Sequence, residues 1–215
     1  MNVNGIETER KFIIKMPEED VLSALGGDDI VQIYLECEAG MSERVRARTH
    51  GGAVTYTHTV KRRINAISAY EDERDISEAE FAELSARIEP GTTPVRKTRY
   101  LLPYRDHVFE IDVYPQWRRF AVMEVELPGE DAVFEVPPQI CVLREVSGER
   151  RFSNHSLSRR MIPEEELGFE DCVQDGENNI PPEGKADDDK RSQHNEDERL
   201  YQQDRQRQAA AGELL

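Results

Sequence analysis

Charged side chains recur two positions apart along most strand-like segments of this 215-residue chain. Residues i and i+2 of a β-strand point to the same face of a sheet, so each doublet sets two charges side by side. Like charges held this close repel one another unless a counter-charge lies between them. The doublets are Glu7/Glu9, Arg46/Arg48, Glu71/Glu73, Lys97/Arg99, Glu110/Asp112 and Glu124/Glu126, and Lys11 and Lys61 continue the same registers. A fold for this chain must therefore either expose these faces to water or gather the charges and pair them.

Period-2 alternation and β-branched or aromatic residues predict eight strands within the first 150 residues. The predicted strands are residues 6–15, 30–37, 44–49, 55–61, 66–75, 96–102, 108–114 and 120–127. Helices are predicted after Pro17, after the capping box that begins at Ser77, and after Ser153. Eight strands with few helices indicate a mainly β (α+β) domain, either a closed antiparallel sheet or a sandwich.

The distribution of charge divides the chain near residue 162. Residues 163–215 hold 16 Asp and Glu against 6 Lys and Arg, a net charge of −10, and residues 1–162 carry the other −6 of the formal −16. The C-terminal part also lacks periodic apolar residues, and such a composition cannot bury enough apolar area to offset the entropy of ordering. We therefore expect a folded domain over residues 1–162 and an acidic, disordered tail over residues 163–215.

Composition excludes several classes of protein. No apolar run approaches the roughly 20 residues needed to span a bilayer, and the first residues lack the basic and apolar regions of a signal peptide. Cys37, Cys141 and Cys172 are widely spaced and suit reduced thiols better than a disulfide framework. We therefore expect a cytoplasmic protein without a membrane partner. An acidic chain is a poor non-specific binder of nucleic acid, and nothing in the sequence separates a monomer from a homodimer.

If the charged faces point into a closed barrel, its lumen sets six basic residues against eight carboxylates. Burying so many charges is unfavourable unless they are paired or bound to a ligand. Carboxylate oxygens suit Mg²⁺ or Mn²⁺, and clustered Lys and Arg suit phosphate oxygens. Any single doublet also fits the solvent face of an ordinary sheet. Taken together, the doublets favour a lumen that binds a complex of a metal with a polyphosphate.

The charged blocks also follow a recognisable order. A Glu-x-Glu-x-Lys motif at residues 7–11 is followed by Val-Arg-Ala-Arg (45–48), Thr-Val-Lys (59–61), Tyr-Glu-Asp-Glu (70–73), Arg-Lys-Thr-Arg-Tyr (96–100), Phe-Glu-Ile-Asp-Val-Tyr (109–114) and Met-Glu-Val-Glu-Leu (123–127). Over residues 3–160 this order resembles the CYTH superfamily, the triphosphate tunnel metalloenzymes. The resemblance implies an eight-stranded antiparallel closed β-barrel with a few flanking helices, which binds a triphosphate together with Mg²⁺ or Mn²⁺.

The resemblance also implies a role for each charged position. The implied metal ligands are Glu7, Glu9, Glu110, Asp112, Glu124 and Glu126. The implied contacts to the substrate phosphates are Lys11, Arg46, Arg48, Lys61, Lys97, Arg99 and Arg151. The implied catalytic residues, which position the attacking water or neutralise charge, are Glu71, Glu73, Asp112 and Lys61. Residues 66–69 lack a basic residue that is common in the family, and His58 replaces a usual hydrophobic residue, which bears on the choice of substrate.

The implied reaction is metal-dependent hydrolysis of the terminal phosphoanhydride of a triphosphate, without a covalent intermediate. No segment for recognising a base is evident, which favours inorganic tripolyphosphate as the small-molecule substrate. One alternative is a class IV adenylate cyclase, which converts ATP to cyclic AMP and pyrophosphate and needs an adenine pocket. Another is a non-catalytic module that binds polyphosphate or nucleotide, although such a module would gain affinity by losing the carboxylates that this chain retains.

Overall fold

The computed structural model describes residues 5–168, in which nine β-strands alternate with short helices. The strands are β1 (Ile6–Lys15), β2 (Gly27–Leu35), β3 (Met41–His50), β4 (Ala53–Arg63), β5 (Ser68–Ile76), β6 (Val95–Tyr104), β7 (His107–Val113), β8 (Phe120–Glu126) and β9 (Val142–Glu145). The α-helices are α1 (Glu19–Leu25), α2 (Glu78–Ser85) and α3 (Asn154–Arg159), and 3-10 helices form at Arg150–Phe152 and Glu164–Leu167. Within these residues, no helix has the length and apolar character needed to cross a bilayer.

The first eight strands close into an antiparallel barrel, which confirms the predicted fold. The strand order is β5-β4-β3-β2-β6-β7-β8-β1, and β1 pairs again with β5. This second pairing covers only Ile6–Thr8, after which β1 leaves β5 and pairs with β9 from Phe12 to Ile14. Strand β9 was not predicted, because its four residues are too few to show an alternating pattern.

Local signals in the sequence place the turns and helix ends. Gly51 and Gly52 have φ angles of 55° and 85° and form the predicted turn between β3 and β4. The Ser77 side chain accepts a hydrogen bond from the Glu80 backbone N–H at 3.1 Å, as a capping box requires. Strand β2 begins three residues earlier than predicted, at Gly27. A Cβ at Gly27 would lie 2.5 Å from Thr98 Cγ2, so any larger residue would force neighbouring side chains on β6 to shift.

One end of the barrel interior is filled by apolar side chains, which we call the apolar floor. Its strand residues alternate with the lumen positions of the same strands, as Ile13 does with Lys11, Val95 with Lys97 and Val122 with Glu124, so both sets share the inner face. The floor consists of Ile13, Tyr34, Val95, Tyr114, Trp117, Phe120, Val122, Phe152 and Leu157, all buried. Tyr114, Trp117 and Phe120 pack together in this cluster, each 2% exposed or less.

The packing at the apolar floor extends to the first residues of the predicted tail. Trp117 Nε1 donates a hydrogen bond to the Ile162 carbonyl at 2.8 Å, and Leu167 is buried against the floor. Glu164 Oε1 accepts hydrogen bonds from the backbone N–H groups of Arg118 (3.0 Å) and Arg119 (2.5 Å). The rest of the predicted tail, residues 169–215, lies outside the described residues.

We expect Phe152→Ala to lower the free energy of unfolding by about 3–5 kcal/mol, because the change leaves a cavity in the apolar floor. Phe152 is 1% exposed. Urea denaturation measures the effect, and Phe81→Ala on the partly exposed side of α2 is the matched control. Equal losses in the two variants would contradict the assignment of Phe152 to the core.

Candidate active site

The barrel brings almost all of the predicted site residues together on its inner face. Strand pairing sets Lys11 opposite Glu124 and Glu124 opposite Glu110. On the other strands it sets Lys61 opposite Glu71 and Arg99 opposite Asp112. The residues gathered in this way are Glu7, Glu9, Lys11, Arg46, Arg48, Lys61, Glu71, Glu73, Lys97, Arg99, Glu110, Asp112, Glu124 and Glu126. The charged doublets therefore line a lumen rather than a solvent-facing sheet.

The first group of charges surrounds Asp112 on β7. The Asp112 side chain is completely buried and contacts Lys97 Nζ, which is buried as well. Arg99 Nε donates to Asp112 Oδ1 at 2.7 Å, and its Nη2 donates to Glu124 Oε2 at 2.9 Å. We call this group the Asp112 cluster; it consists of Lys11, Lys97, Arg99, Glu110, Asp112 and Glu124, and its members neutralise one another.

Burial and opposite charge shift the pKa values in the Asp112 cluster in different directions. Burial and the neighbouring Arg99 lower the pKa of Lys97 to about 8. Burial opposes ionisation of Asp112, but Arg99 and Lys97 outweigh it and lower the pKa of this carboxyl group. The pKa of Glu124 is lowered in the same way by Lys11 and Arg99. Asp112 and Glu124 are therefore ionised at neutral pH.

The second group of charges surrounds Lys61 on β4. Lys61 Nζ contacts Glu7 on β1 and lies 3.0 Å from Glu71 Oε2 on β5. Burial raises the pKa of Glu7, and its hydrogen bond with Glu71 adds to this effect while Lys61 opposes it. The pKa of Glu71 is lowered, because hydrogen bonds and charge from Glu7, Arg44 and Lys61 outweigh its burial. The two carboxyl groups are hydrogen-bonded to each other, and their pKa values shift in opposite directions.

Arg44 on β3 is a lumen residue that the sequence analysis missed. Its Nη2 lies 3.4 Å from Glu71 Oε1 and 3.8 Å from Glu73 Oε2, and its side chain is 15% exposed. The signal was present, since Arg44, Arg46 and Arg48 alternate along one strand. The Val-Arg-Ala-Arg block used for the resemblance begins one residue after Arg44.

Among the basic residues that line the lumen, Arg46 is the one whose charge is least neutralised by carboxylates. Its nearest ion pair joins Nη1 to Glu73 Oε2 at 4.0 Å. Burial, together with Arg44 and Arg99, lowers the pKa of Arg46 to about 10. A buried guanidinium among other cations is unfavourable without an anion beside it. The wall around Arg46 is therefore suited to bind an anionic ligand.

Two predicted phosphate contacts lie away from this centre. Arg48 contacts the buried carboxylate of Asp28 at the end of the lumen opposite the apolar floor. Arg151 is half exposed in the 3-10 helix, pairs with Glu149 at 3.3 Å and lies over the Phe152 ring. Asp28 was not among the predicted site residues, because the doublet pattern does not include it.

Carboxylates slightly outnumber basic residues in the lumen, nine against seven. The acids are Glu7, Glu9, Asp28, Glu71, Glu73, Glu110, Asp112, Glu124 and Glu126, and the bases are Lys11, Arg44, Arg46, Arg48, Lys61, Lys97 and Arg99. A triphosphate adds several negative charges to this nearly balanced interior. Cations that enter with it would compensate this charge, since uncompensated buried charge is costly.

Four carboxylates are arranged as two like-charged pairs on neighbouring strands. Glu9 lies opposite Glu126, and Glu110 lies opposite Glu124. Like charges directly opposite one another destabilise a sheet, and oxygen ligands of this kind suit Mg²⁺ or Mn²⁺. Within residues 5–168, no three His, Cys, Asp or Glu residues form a ready metal site. Several of these carboxylates contact Lys or Arg side chains. Their oxygen atoms suit a hard cation, and such a cation would replace some of these contacts.

We expect Asp112→Asn to lower the free energy of unfolding by about 3–5 kcal/mol, because it leaves the buried charges of Lys97 and Arg99 without their shared counter-charge. Urea denaturation measures this loss. Glu80→Gln is the matched control, because Glu80 pairs with Arg74 at the surface, where such a pair contributes about 1 kcal/mol or less. A loss at Asp112 as small as the loss at Glu80 would show that the cluster does not stabilise the barrel.

Comparisons with known proteins found similar sequences and similar solved structures. The chain is 30% identical over 155 residues to an inorganic triphosphatase of Acetivibrio thermocellus, an alignment that covers 71% of this chain and 93% of that protein. The crystal structure of an inorganic triphosphatase is 29% identical with a TM-score of 0.47, and the match covers 73% of this chain and 96% of that chain. A putative adenylate cyclase from Bacillus halodurans is 16% identical with a TM-score of 0.39, and the match covers 59% of this chain and 84% of that chain. No family model matches the chain.

The alignment with the Acetivibrio thermocellus protein spans nearly the whole of that relative. The barrel also places the Glu-x-Glu-x-Lys motif and the later charged doublets on one inner face. The chain therefore belongs to the CYTH superfamily, the triphosphate tunnel metalloenzymes.

Proposed function

We propose that this protein hydrolyses the terminal phosphoanhydride of inorganic tripolyphosphate with Mg²⁺ or Mn²⁺. The observation that carries the proposal is the lumen itself, in which buried Lys and Arg side chains face carboxylates in nearly equal number. A short linear polyanion with divalent cations supplies the charges that this interior lacks. The similarity to an inorganic triphosphatase supports the same reaction.

The metal ions would be held by carboxylates on β1, β7 and β8. Glu9 and Glu126 are the best placed, because they lie side by side near the end of the lumen opposite the apolar floor. The other proposed ligands are Glu7, Glu110, Asp112 and Glu124. A divalent ion bound there would neutralise charge on the phosphate oxygens.

Basic residues would hold the triphosphate along the lumen. Arg44 and Arg46 lie side by side on the inner face of β3, where nearby carboxylates neutralise their charge only weakly. They would therefore bind phosphate oxygens most directly. The other proposed contacts within the lumen are Lys11, Lys61, Lys97 and Arg99. Arg48 would meet the part of the substrate nearest the open end. A contact from Arg151 stays a prediction of the resemblance, since its side chain lies beside Glu149 and Phe152.

The attacking water would be oriented by carboxylates of β5. Glu71 and Glu73 face Arg44 and Arg46, so a phosphate on these arginines lies beside both carboxylates. Lys61 contacts Glu71 and would stabilise negative charge that develops on the phosphate oxygens. Asp112 already accepts hydrogen bonds from Arg99 and contacts Lys97, so its part would be to keep these cations in position.

Phosphate release from tripolyphosphate, ATP and thiamine triphosphate tests the proposal, with each substrate offered with Mg²⁺, Mn²⁺ or excess chelator. We expect release from tripolyphosphate with either metal and loss of release with the chelator. Formation of cyclic AMP and pyrophosphate from ATP would show a cyclase instead. Binding of tripolyphosphate without any product would show a non-catalytic module.

We expect Glu9→Gln to lower kcat for tripolyphosphate by about 100-fold or more, because it removes a charged ligand of the metal that neutralises the transition state. The measurement is phosphate release under saturating Mg²⁺. Glu83→Gln at the surface of α2 is the control and keeps full activity. Unchanged thermal unfolding of Glu9→Gln shows that the fold is intact, and unchanged turnover would refute the assignment of Glu9.

A further inference from the structure

The mouth of the lumen, at the end opposite the apolar floor, carries a group of side chains that the proposed reaction uses only in part. His50 is the last residue of β3 and lies two positions after Arg48, so it continues the inner-face register of that strand. Asp28 lies on the neighbouring strand β2, opposite the lumen residue Arg99 of β6. We call Asp28, Arg48 and His50 the mouth group.

Asp28 holds the other two members of the mouth group through both of its carboxylate oxygens. Arg48 Nε donates a hydrogen bond to Asp28 Oδ2 at 2.6 Å, and Asp28 Oδ1 contacts His50 Nδ1. Asp28 is 3% exposed. Burial opposes ionisation of Asp28, but the hydrogen bonds with His50 and Arg48 outweigh it and lower the pKa of this carboxyl group. Asp28 is therefore ionised at neutral pH.

The pairing with Asp28 leaves the outer side of the imidazole open. An ionised carboxylate only accepts hydrogen bonds, so His50 Nδ1 carries a proton and donates it to Asp28. The His50 side chain is 80% exposed, so its Nε2 faces water at the mouth. The ion pairs given by residues 5–168 join both Arg48 and His50 to Asp28, and Ala53, opposite His50 on β4, is uncharged. One carboxylate thus serves two cationic groups whenever the imidazole takes up its second proton.

The two kinds of triphosphate differ at the end that would reach this mouth. Under the proposed function, the attacked phosphate lies between Arg46 of β3 and Glu73 of β5, so the other end of the ligand points toward the mouth. In tripolyphosphate that outer phosphate is a free terminal group with about two negative charges near neutral pH. In a nucleoside triphosphate it is an ester that carries one charge and the nucleoside. An arginine and an imidazolium held side by side match the free terminal phosphate better.

We propose that the mouth group binds the free outer phosphate of tripolyphosphate and so selects inorganic triphosphate over nucleoside triphosphates. Protonated His50 donates from Nε2 to this phosphate, Arg48 binds it beside the imidazole, and Asp28 is the positioning residue for both. The inference rests on the proposed function for the placement of the ligand. Histidine changes its charge between about pH 5 and pH 8, so the selection weakens as the pH rises through this range.

The experiment measures how tightly the protein binds two ligands in Mg²⁺ by calorimetric titration. The ligands are a tripolyphosphate analogue and an ATP analogue, both with bridging oxygens replaced by methylene groups, so that affinity is measured without turnover. At about pH 6 we expect the wild type to prefer the tripolyphosphate analogue, and His50→Gln to lower this preference about 10-fold, as for the loss of a hydrogen bond between charged groups. His107→Gln is the control and keeps the preference, since His107 packs on Phe134 outside the lumen.

A change of pH gives a second readout that depends on the charge of the imidazole. Raising the pH from about 6 to about 8.5 removes the second proton of the imidazole. The preference of the wild type is therefore expected to fall toward that of His50→Gln. His50→Lys keeps its positive charge at both pH values, so we expect it to retain the preference at the higher pH.

The outcomes separate this inference from the proposed function. Equal preferences of His50→Gln and the wild type would overturn the inference, even if the wild type releases phosphate from tripolyphosphate. A preference that is reduced in His50→Gln supports the inference, even if the wild type releases no phosphate and the proposed hydrolysis fails. If His50→Gln does not fold, the pH series of the wild type and His50→Lys decides. The same pH dependence in both proteins would overturn the role of His50.

Discussion

The near balance of positive and negative charge inside a closed barrel is the constraint on which the rest of this structure depends. Each lumen strand contributes side chains from alternate positions, so one inner face collects the charges of the whole sheet. Burial makes any unpaired charge costly, and the pairing of Asp112 with Lys97 and Arg99 meets that requirement on one wall. Under the proposed function, the same balance is the reason that cations would enter together with the polyanion. Fold stability and ligand chemistry thus have one physical origin.

The lumen is not uniform along its circumference or along its axis. Asp112 and its neighbours form a bonded group that holds β6, β7 and β8 together. Arg44 and Arg46 face them with fewer carboxylate contacts and with unpartnered polar atoms nearby. Apolar side chains close one end. Under the proposed function, these three regions would give the bound substrate a direction, with the proposed metal ligand Glu9 toward the open end and the apolar floor at the other end.

Period-2 patterning in the sequence is sufficient to predict the eight barrel strands and most lumen residues, because charges recur at every second residue on most of these strands. The prediction fails where charge is absent or a strand is short. Tyr34 carries no formal charge, so the doublet pattern does not reveal its place on the inner face. Arg44 shows the same alternation as Arg46 but lies outside the motif block. Strand β9 pairs with β1 where β1 has left β5, after Thr8. This pairing depends on the tertiary fold, so the local sequence of the four residues of β9 does not reveal it.

Crystals grown with Mn²⁺ and the methylene-bridged tripolyphosphate analogue test the central claim most directly, because anomalous scattering locates the metal independently of the phosphates. The account predicts Mn²⁺ bound to Glu9 and Glu126, with phosphate oxygens on Arg44 and Arg46 of the facing wall. Metal and analogue bound on the outer surface, with the contacts of Asp112 and Lys61 unchanged and the lumen free of both, would contradict it.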